Sequence, residues 1–234
     1  MTEKPRNPVS RRERPAKPAL TREAIVAVAL AVLRSDGLEK VTMRRLAQEL
    51  DTGPASLYVY VRNTAELHAA VLDEVLGELD VAVARTGDGD WQTRLERLLV
   101  SYTVLLFGHP ALARSALVAR PSGPHYLDLL ETLLTLLAEG GVPDGRAAWG
   151  VDVLLQFGTA TAAEQAARHA APGADGELDA LAAAVQASSA QTRPRLAAVA
   201  DDVLSGTPED RLAWGFRVLL TGVARTARPG QETG

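Results

Sequence analysis

The sequence of 234 residues contains no cysteine, is only 4% aromatic and has no long apolar run. The absence of cysteine excludes disulfides and thiolate metal sites, and it is compatible with a reducing cytoplasm. No apolar run approaches the roughly 18 residues of a membrane-spanning helix. The first residues are polar and basic without an apolar core, which is unlike a secretory signal. We therefore expect a soluble, cytoplasmic protein with no membrane partner.

Alanine and leucine are abundant, and the chain is 47% hydrophobic. The alternation typical of strands is nearly absent, whereas apolar residues recur at spacings of three and four. This pattern predicts an all-α fold with a sizeable buried core. The predicted helices span residues 21–35, 42–50, 54–61, 64–85, 91–107, 111–119, 124–139, 144–168, 177–190, 193–204 and 208–226.

The net charge of −4 is distributed unevenly along the chain. Residues 1–20 contain six basic and two acidic side chains, residues 21–67 are neutral, and the remainder carries −8. Only the N-terminal part therefore suits a polyanionic partner. Residues 1–20 also contain four prolines, which predicts a flexible segment. It is either a solvated tail or a basic arm that reaches DNA phosphates or the minor groove.

Residues 42–64, TMRRLAQELDTGPASLYVYVRNT, contain two short helical segments on either side of a corner. Gly53 is expected to take a positive φ at this corner, and Pro54 suits the first position of the second helix. Each segment carries an inward pair of apolar residues four apart. The pattern is that of a helix-turn-helix, whose second helix enters the DNA major groove. An ordinary helical hairpin would produce the same local pattern. The two inward pairs are Leu46 with Leu50 and Leu57 with Val61.

The segments that flank this motif favour the DNA-binding interpretation. Thr21 caps a preceding helix that Gly37 ends, and Asn63 with Glu66 forms a capping box for a following helix. The three helices up to residue 67 would form a compact DNA-binding head, and the rest of the chain its body. The following helix is predicted to begin in the head and to end in the body, at about residue 85. It would therefore link the two mechanically.

The stretch TREAIVAVALAVLRSDGLEKVTMRRLAQELDTGPASLYVYVRNTAELHAAVLDEVL, residues 21–76, resembles the TetR family of bacterial transcriptional repressors. The resemblance lies in the motifs G-L-x-x-V-T-M-R, L-A-x-E-L, S-L-Y-x-Y-V and N-x-x-E-L. The body resembles the tetracycline-repressor branch through Trp91, a helix break at His109, Arg120-Pro121 and Gln156-Phe157.

The resemblance implies a homodimer that places two heads on a palindromic operator of double-stranded DNA, and a ligand in the body that weakens this binding. It divides the chain into a basic arm (1–20), a DNA-binding domain (21–67), an effector-binding and dimerisation domain (68–226) and a disordered tail (227–234). The implied DNA-contact positions are Arg44, Arg45, Thr52, Pro54, Ala55, Ser56, Tyr58, Tyr60, Arg62 and Thr64.

The chemistry of these side chains suggests different roles. Arg44 suits bidentate recognition of guanine, whereas Tyr58 and Tyr60 suit phosphate or sugar contacts. Tyr58 could instead pack in the core against the first helix. Arg45 and Arg62 either face phosphates or are simply solvated.

The effector site is expected to be an apolar cavity with few polar groups. Compared with the tetracycline branch, Leu98 replaces a drug-binding asparagine and His125 a drug-binding glutamine. These departures favour a small, more apolar effector over tetracycline. His109 could instead cap the carbonyls of the preceding helix. The implied ligand-binding residues are Asp80, Leu98, Tyr102, His109, Leu112, His125, Gln156 and Phe157.

Residues 149–166 and 214–223 are rich in small side chains and are expected to form a four-helix dimer contact, unless both helices are simply monomer core. None of the four histidines has metal-ligand spacing with another, so we predict no metal and no cofactor. An enzyme using His109 or His125 as acid or base is a second hypothesis. The chain shows no nucleophile–base pair, carboxylate pair or phosphate-binding glycine loop, so we predict no enzymatic activity. A third hypothesis is an interaction protein whose head does not bind DNA.

Overall fold

The all-α prediction is confirmed by the computed structural model, which describes residues 19–171 and 174–229. Within these ranges the chain forms helices and no strand. The predicted arm lies outside the described residues up to position 18, and so do residues 230–234 of the predicted tail. The helices are α1 (Arg22–Asp36), α2 (Met43–Glu49), α3 (Pro54–Leu57), α4 (Thr64–Leu76), α5 (Val81–Thr86), α6 (Trp91–Phe107), α7 (Pro110–Ala116), α8 (Pro124–Glu139), α9 (Asp144–Ala170), α10 (Ala174–Gln186), α11 (Pro194–Ala198), α12 (Ala200–Leu204) and α13 (Pro208–Arg225), with a 3-10 turn at Leu38–Lys40.

Five helices start at polar side chains that the sequence marks as N-caps. Each side-chain oxygen accepts a backbone N–H from the residue three positions on, at 2.8–3.2 Å. Each cap satisfies one of the unpaired donors of the first turn and contributes about 1 kcal/mol to stability. The caps are Thr21, Thr42, Asn63, Asp90 and Thr207.

The head consists of α1–α3 and the first half of α4, packed around a small apolar core. Ile25, Leu46 and Leu57 are fully buried at its centre. This core continues without interruption into that of the body. The head and the body are thus joined by packed side chains as well as by the chain itself.

The prediction of one helix over 64–85 is wrong, because α4 ends at Leu76 and α5 starts after Asp80. The Asp80 carboxylate accepts the Val83 N–H at 2.9 Å and thereby starts the new helix. Gly77, at the break, allows a close tertiary contact. A Cβ at this position would lie 2.9 Å from Cε1 of His125 on α8, so the glycine lets the two segments meet.

The body is built around α9, which packs against α6, α7, α8 and α13. Glycines in α9 allow close approach. A Cβ at Gly150 would lie 2.5 Å from a Val223 methyl, and one at Gly158 would lie 2.7 Å from the Thr103 hydroxyl. The inner face of α9 is therefore monomer core, while its outer face exposes Trp149.

The last third of the body differs from the prediction in two places. The helix predicted over 193–204 is two short helices that meet at Val199. Arg228, in the predicted disordered tail, is packed instead: its guanidinium lies 5.1 Å from the Trp149 ring centroid and donates to the Gly145 carbonyl at 3.3 Å. Across the part of the chain that the structure describes, no helix has the length and apolar character needed to span a bilayer.

Candidate DNA-binding surface and effector site

The corner of the helix-turn-helix is stabilised by backbone hydrogen bonds. The Thr52 N–H donates to the Ala47 carbonyl at 2.8 Å, which closes the C-terminus of α2. The residue with positive φ is Asp51 (φ 48°), whereas Gly53 is extended at φ −83°. The prediction for Gly53 is therefore wrong. The left-handed residue directly follows the helix end, and aspartate tolerates that conformation better than most residues do.

The recognition segment is a single helical turn, α3, followed by a turn at residues 58–60. Leu57 and Val61 are both fully buried and anchor it to the head. The residues between them face solvent: Tyr58 is 51% exposed, Val59 81% and Tyr60 37%. Tyr58 is therefore not a core residue, and both tyrosines are exposed on the surface of the head.

The three arginines of the motif differ in their partners. Arg45 pairs with Asp36 at 3.4 Å and with Glu49 at 2.9 Å. Arg62 pairs with Glu66 at 3.0 Å, and hydrogen bonds from its backbone N–H and its guanidinium lower the pKa of that carboxyl. Arg44 is exposed and has no ion pair within residues 19–171 and 174–229. Its guanidinium is therefore available to an incoming polyanion.

The remaining predicted contact residues lie at the same end of the head. Thr52 is half-buried at the corner, while Pro54, Ala55, Ser56 and Thr64 are exposed. Val59 is a further candidate that the predicted contact residues do not include, although its position between the anchors Leu57 and Val61 is visible in the motif. An exposed apolar side chain at this point suits contact with a thymine methyl group.

The predicted effector residues are divided among several environments. Asp80 and Leu98 line a surface groove of about 860 Å³ beside the start of α13, and Phe157 lines a second groove of about 790 Å³. His125 lies against Gly77, and Gln156 is exposed on α9. Their shared role in ligand binding stays a prediction. Tyr102 and Leu112 are buried, and His109 is half-buried at the start of α7 without a side-chain cap there.

A polar cluster connects α6, α8 and α9 near the end of α7. The Tyr102 hydroxyl lies 2.7 Å from that of Thr159, and the Arg120 guanidinium pairs with Asp152 at 2.6 Å. Burial raises the pKa of Tyr102 to about 12, and burial also raises the pKa of Tyr126. The positive charge of Arg120 opposes both increases, since it lies close enough to act on both phenols.

Of this cluster, only Tyr102 is among the effector residues predicted from the sequence. The missed signal is in α9, which is otherwise rich in apolar and small residues. Asp152 and Thr159 are seven residues apart, so two helical turns bring them to one face. Their partners come from α6 and from the segment before α8, which only the tertiary fold brings together.

Metal binding has no geometric support in the part of the chain that is described. No group of three or more His, Cys, Asp or Glu side chains there is arranged to hold an ion.

A capped helix-turn-helix with exposed tyrosines on its recognition segment and an exposed arginine on α2, mounted on an all-helical body, defines the class of helix-turn-helix transcription regulators. Comparison with known proteins identifies the family. Residues 25–71 match the bacterial regulatory proteins of the tetR family, and residues 84–227 match the tetracyclin repressor-like C-terminal domain. The chain belongs to the TetR family and is a DNA-binding transcriptional regulator.

Solved structures and a curated relative support this family assignment. The chain is similar to SCO7704 of Streptomyces coelicolor (55% identity, TM-score 0.76, 92% of this chain and 100% of that one). It is also similar to ActR of the same species in complex with actinorhodin (34% identity, TM-score 0.75, again 92% and 100%). The transcriptional repressor DrrR1 of Streptomyces coeruleorubidus is 37% identical over 134 residues, which are 57% of this chain and 49% of that protein. This match spans about half the length of DrrR1.

Proposed function

We propose that this chain is a homodimeric repressor that leaves a palindromic operator when a small, largely apolar ligand binds its body. The observation that carries the proposal is the solvent-facing helix-turn-helix, in which the tyrosines of the recognition segment are exposed and Arg44 on α2 has no ion pair among the described residues. The exposed tyrosines suit contacts with the DNA backbone, and the exposed Arg44 guanidinium suits a base edge.

Dimerisation is supported by an exposed apolar face on α9 and α13. Trp149 is 55% exposed and Trp214 64%, while Val153 and Val218 are exposed one helical turn further along each helix. Large apolar groups on two neighbouring helices are typical of a surface that a partner covers. A second copy is the partner that a palindromic operator requires.

The segment α10–α12 supports the same assembly. Its helices pack chiefly on one another and leave Leu181, Val199 and Val203 exposed. Since these side chains are poorly covered by their own protomer, we infer that they also contact the partner.

The effector is expected to bind at the polar cluster of Tyr102, Tyr126, Thr159, Arg120 and Asp152. These groups offer hydroxyl donors and acceptors at the buried Tyr102 and Thr159 and one exposed cation at Arg120, which suits an aromatic ligand with a few polar oxygens. ActR, a relative with 34% identity, has been crystallised with actinorhodin. No catalytic activity is expected, and the cytoplasm is the expected location.

The proposal is tested by selecting an operator from a random DNA library at low salt, where phosphate contacts strengthen binding. We expect two half-sites about 10 base pairs apart, bound by two protomers in sedimentation experiments. Actinorhodin is the first effector to test by fluorescence anisotropy of labelled operator, with tetracycline as the comparison ligand. If no sequence is enriched at low salt, the chain is not a repressor of this kind. If a single protomer binds the selected operator, the dimer assignment is wrong. If a ligand bound in the body leaves operator affinity unchanged, the release mechanism is wrong.

A further inference from the structure

Asp73 is a buried carboxylate on α4, the helix that starts in the head and ends in the body. It is 4% exposed, and it is the one carboxylate residue that is buried among the described residues. Its neighbours Leu72 and Val75 are buried with it. A charged group in such a place is costly unless hydrogen bonds or a dipole compensate it.

The compensation comes from the N-terminus of α8. The Tyr126 N–H donates to Oδ1 of Asp73 at 2.9 Å. Gly123, at the N-cap position of α8, supplies no side-chain cap. A Cβ at Gly123 would lie 2.0 Å from Oδ2 of Asp73, so only glycine allows the carboxylate to come this close. Asp73 thus caps α8 from another helix, where the helix dipole also favours a negative charge.

The first turn of α8 lies next to both α4 and the polar cluster. Tyr126 gives its backbone N–H to Asp73, while its phenol lies in the field of Arg120 at the polar cluster. One residue earlier, the His125 ring lies against Gly77, directly after the end of α4. A shift of this turn therefore acts on the linking helix at two points.

We propose that Asp73 is a positioning residue that couples the polar cluster to the DNA-binding head through its cap on α8. A ligand that hydrogen-bonds to the Tyr126 phenol displaces the first turn of α8. The buried carboxylate must follow the N–H that satisfies it, and α4 moves with the carboxylate. This inference rests on the proposed function, since it requires that the body influences operator binding.

The coupling can be tested without knowing the effector, because linkage is reciprocal: if the body affects operator binding, the operator must affect the body. The experiment measures hydrogen exchange by mass spectrometry in the full chain, with and without an operator duplex selected from a random library. We expect operator binding to slow exchange of the Tyr126 amide, in peptides covering residues 123–130, by about fivefold or more.

Two variants should remove this slowing. Asp73→Ala deletes the hydrogen-bond acceptor on α4. Gly123→Ala adds a methyl group at the start of α8, which pushes the Asp73 carboxylate away from the Tyr126 N–H. Asp73→Asn keeps an oxygen that accepts the Tyr126 N–H and should retain the slowing. If Asp73→Ala does not fold, the other two variants test the inference: Gly123→Ala should lose the slowing and Asp73→Asn should retain it.

Val71→Ala is the matched control, since Val71 is fully buried on the same helix and its truncation destabilises the core without touching the cap. It should keep the slowing. The inference is overturned if the slowing persists in Asp73→Ala and Gly123→Ala, or if Val71→Ala abolishes it equally, which would indicate a merely structural role. If the wild-type chain selects no operator at all, the proposed function fails and this inference fails with it.

Discussion

Replacing Arg44 by alanine tests the DNA-binding surface most directly, because a neighbouring arginine provides a matched control. Arg44 and Arg45 are adjacent, exposed and equal in charge, but among the residues that the structure describes only Arg45 has carboxylate partners, at 3.4 and 2.9 Å. Arg44→Ala should therefore weaken operator binding much more than Arg45→Ala. The wild-type charge at position 45 is already partly neutralised within the head.

The size of the effect follows from the base contact proposed for Arg44. A bidentate contact with guanine contributes about 1–3 kcal/mol to discrimination against the wrong base. A dimer carries two copies, so Arg44→Ala should cost about 2–6 kcal/mol, or roughly 30-fold to 10⁴-fold in affinity. Arg45→Ala should change the affinity only a few-fold, as is usual for exposed ion-paired groups.

Fluorescence anisotropy titrations at several salt concentrations separate a base contact from a phosphate contact. If Arg44 reads a base, the variant keeps the wild-type salt dependence and tolerates substitution of one guanine per half-site. If it contacts a phosphate, the slope of log K against log salt falls by about 0.9 per protomer. Equal losses for Arg44→Ala and Arg45→Ala would refute the reasoning, since the ion pairs would then not matter.

Three further predictions concern the body. Trp214→Ser should raise the dimer dissociation constant about 10³-fold, at roughly 2 kcal/mol per copy, and a variant that sediments unchanged would contradict the dimer face. Tyr102, whose pKa is raised to about 12 by burial, keeps its proton in the folded state when the unfolded chain has lost it near pH 10. The unfolded state then binds fewer protons, so stability should fall by up to about 1.4 kcal/mol per pH unit from pH 10 to 12, and urea unfolding of Tyr102→Phe should lack this contribution. Gly150→Ala would place a Cβ 2.5 Å from Val223 and should lower the unfolding free energy by about 1–3 kcal/mol. The control Gly176→Ala, which has open space, should be neutral or stabilising, and equal effects in the two variants would contradict the packing argument.

The head was accessible from the sequence because its determinants are local. Thr21, Thr42 and Asn63 mark helix starts by side-chain chemistry, and the spacing of Leu57 and Val61 determines which residues face outward. A cap and its acceptor lie three residues apart, so no distant part of the chain is needed to recognise them. The helix-turn-helix, the all-α class and the exposure of the recognition segment all follow from such short-range patterns.

Features that depend on contacts between segments distant in the sequence were decided only by the tertiary structure. The close contact of His125 with Gly77 joins α8 to the end of α4, and the cap of α8 depends on Asp73, which is 53 residues away from Tyr126. The polar cluster likewise pairs Arg120 with Asp152 from another helix. Helical periodicity shows which face of each helix is buried but not which helix covers it, since many partners satisfy the same apolar stripe. The sequence alone therefore determined the kind of protein and the candidate DNA-binding surface, and the packing of the helices decided how the body is connected to that surface.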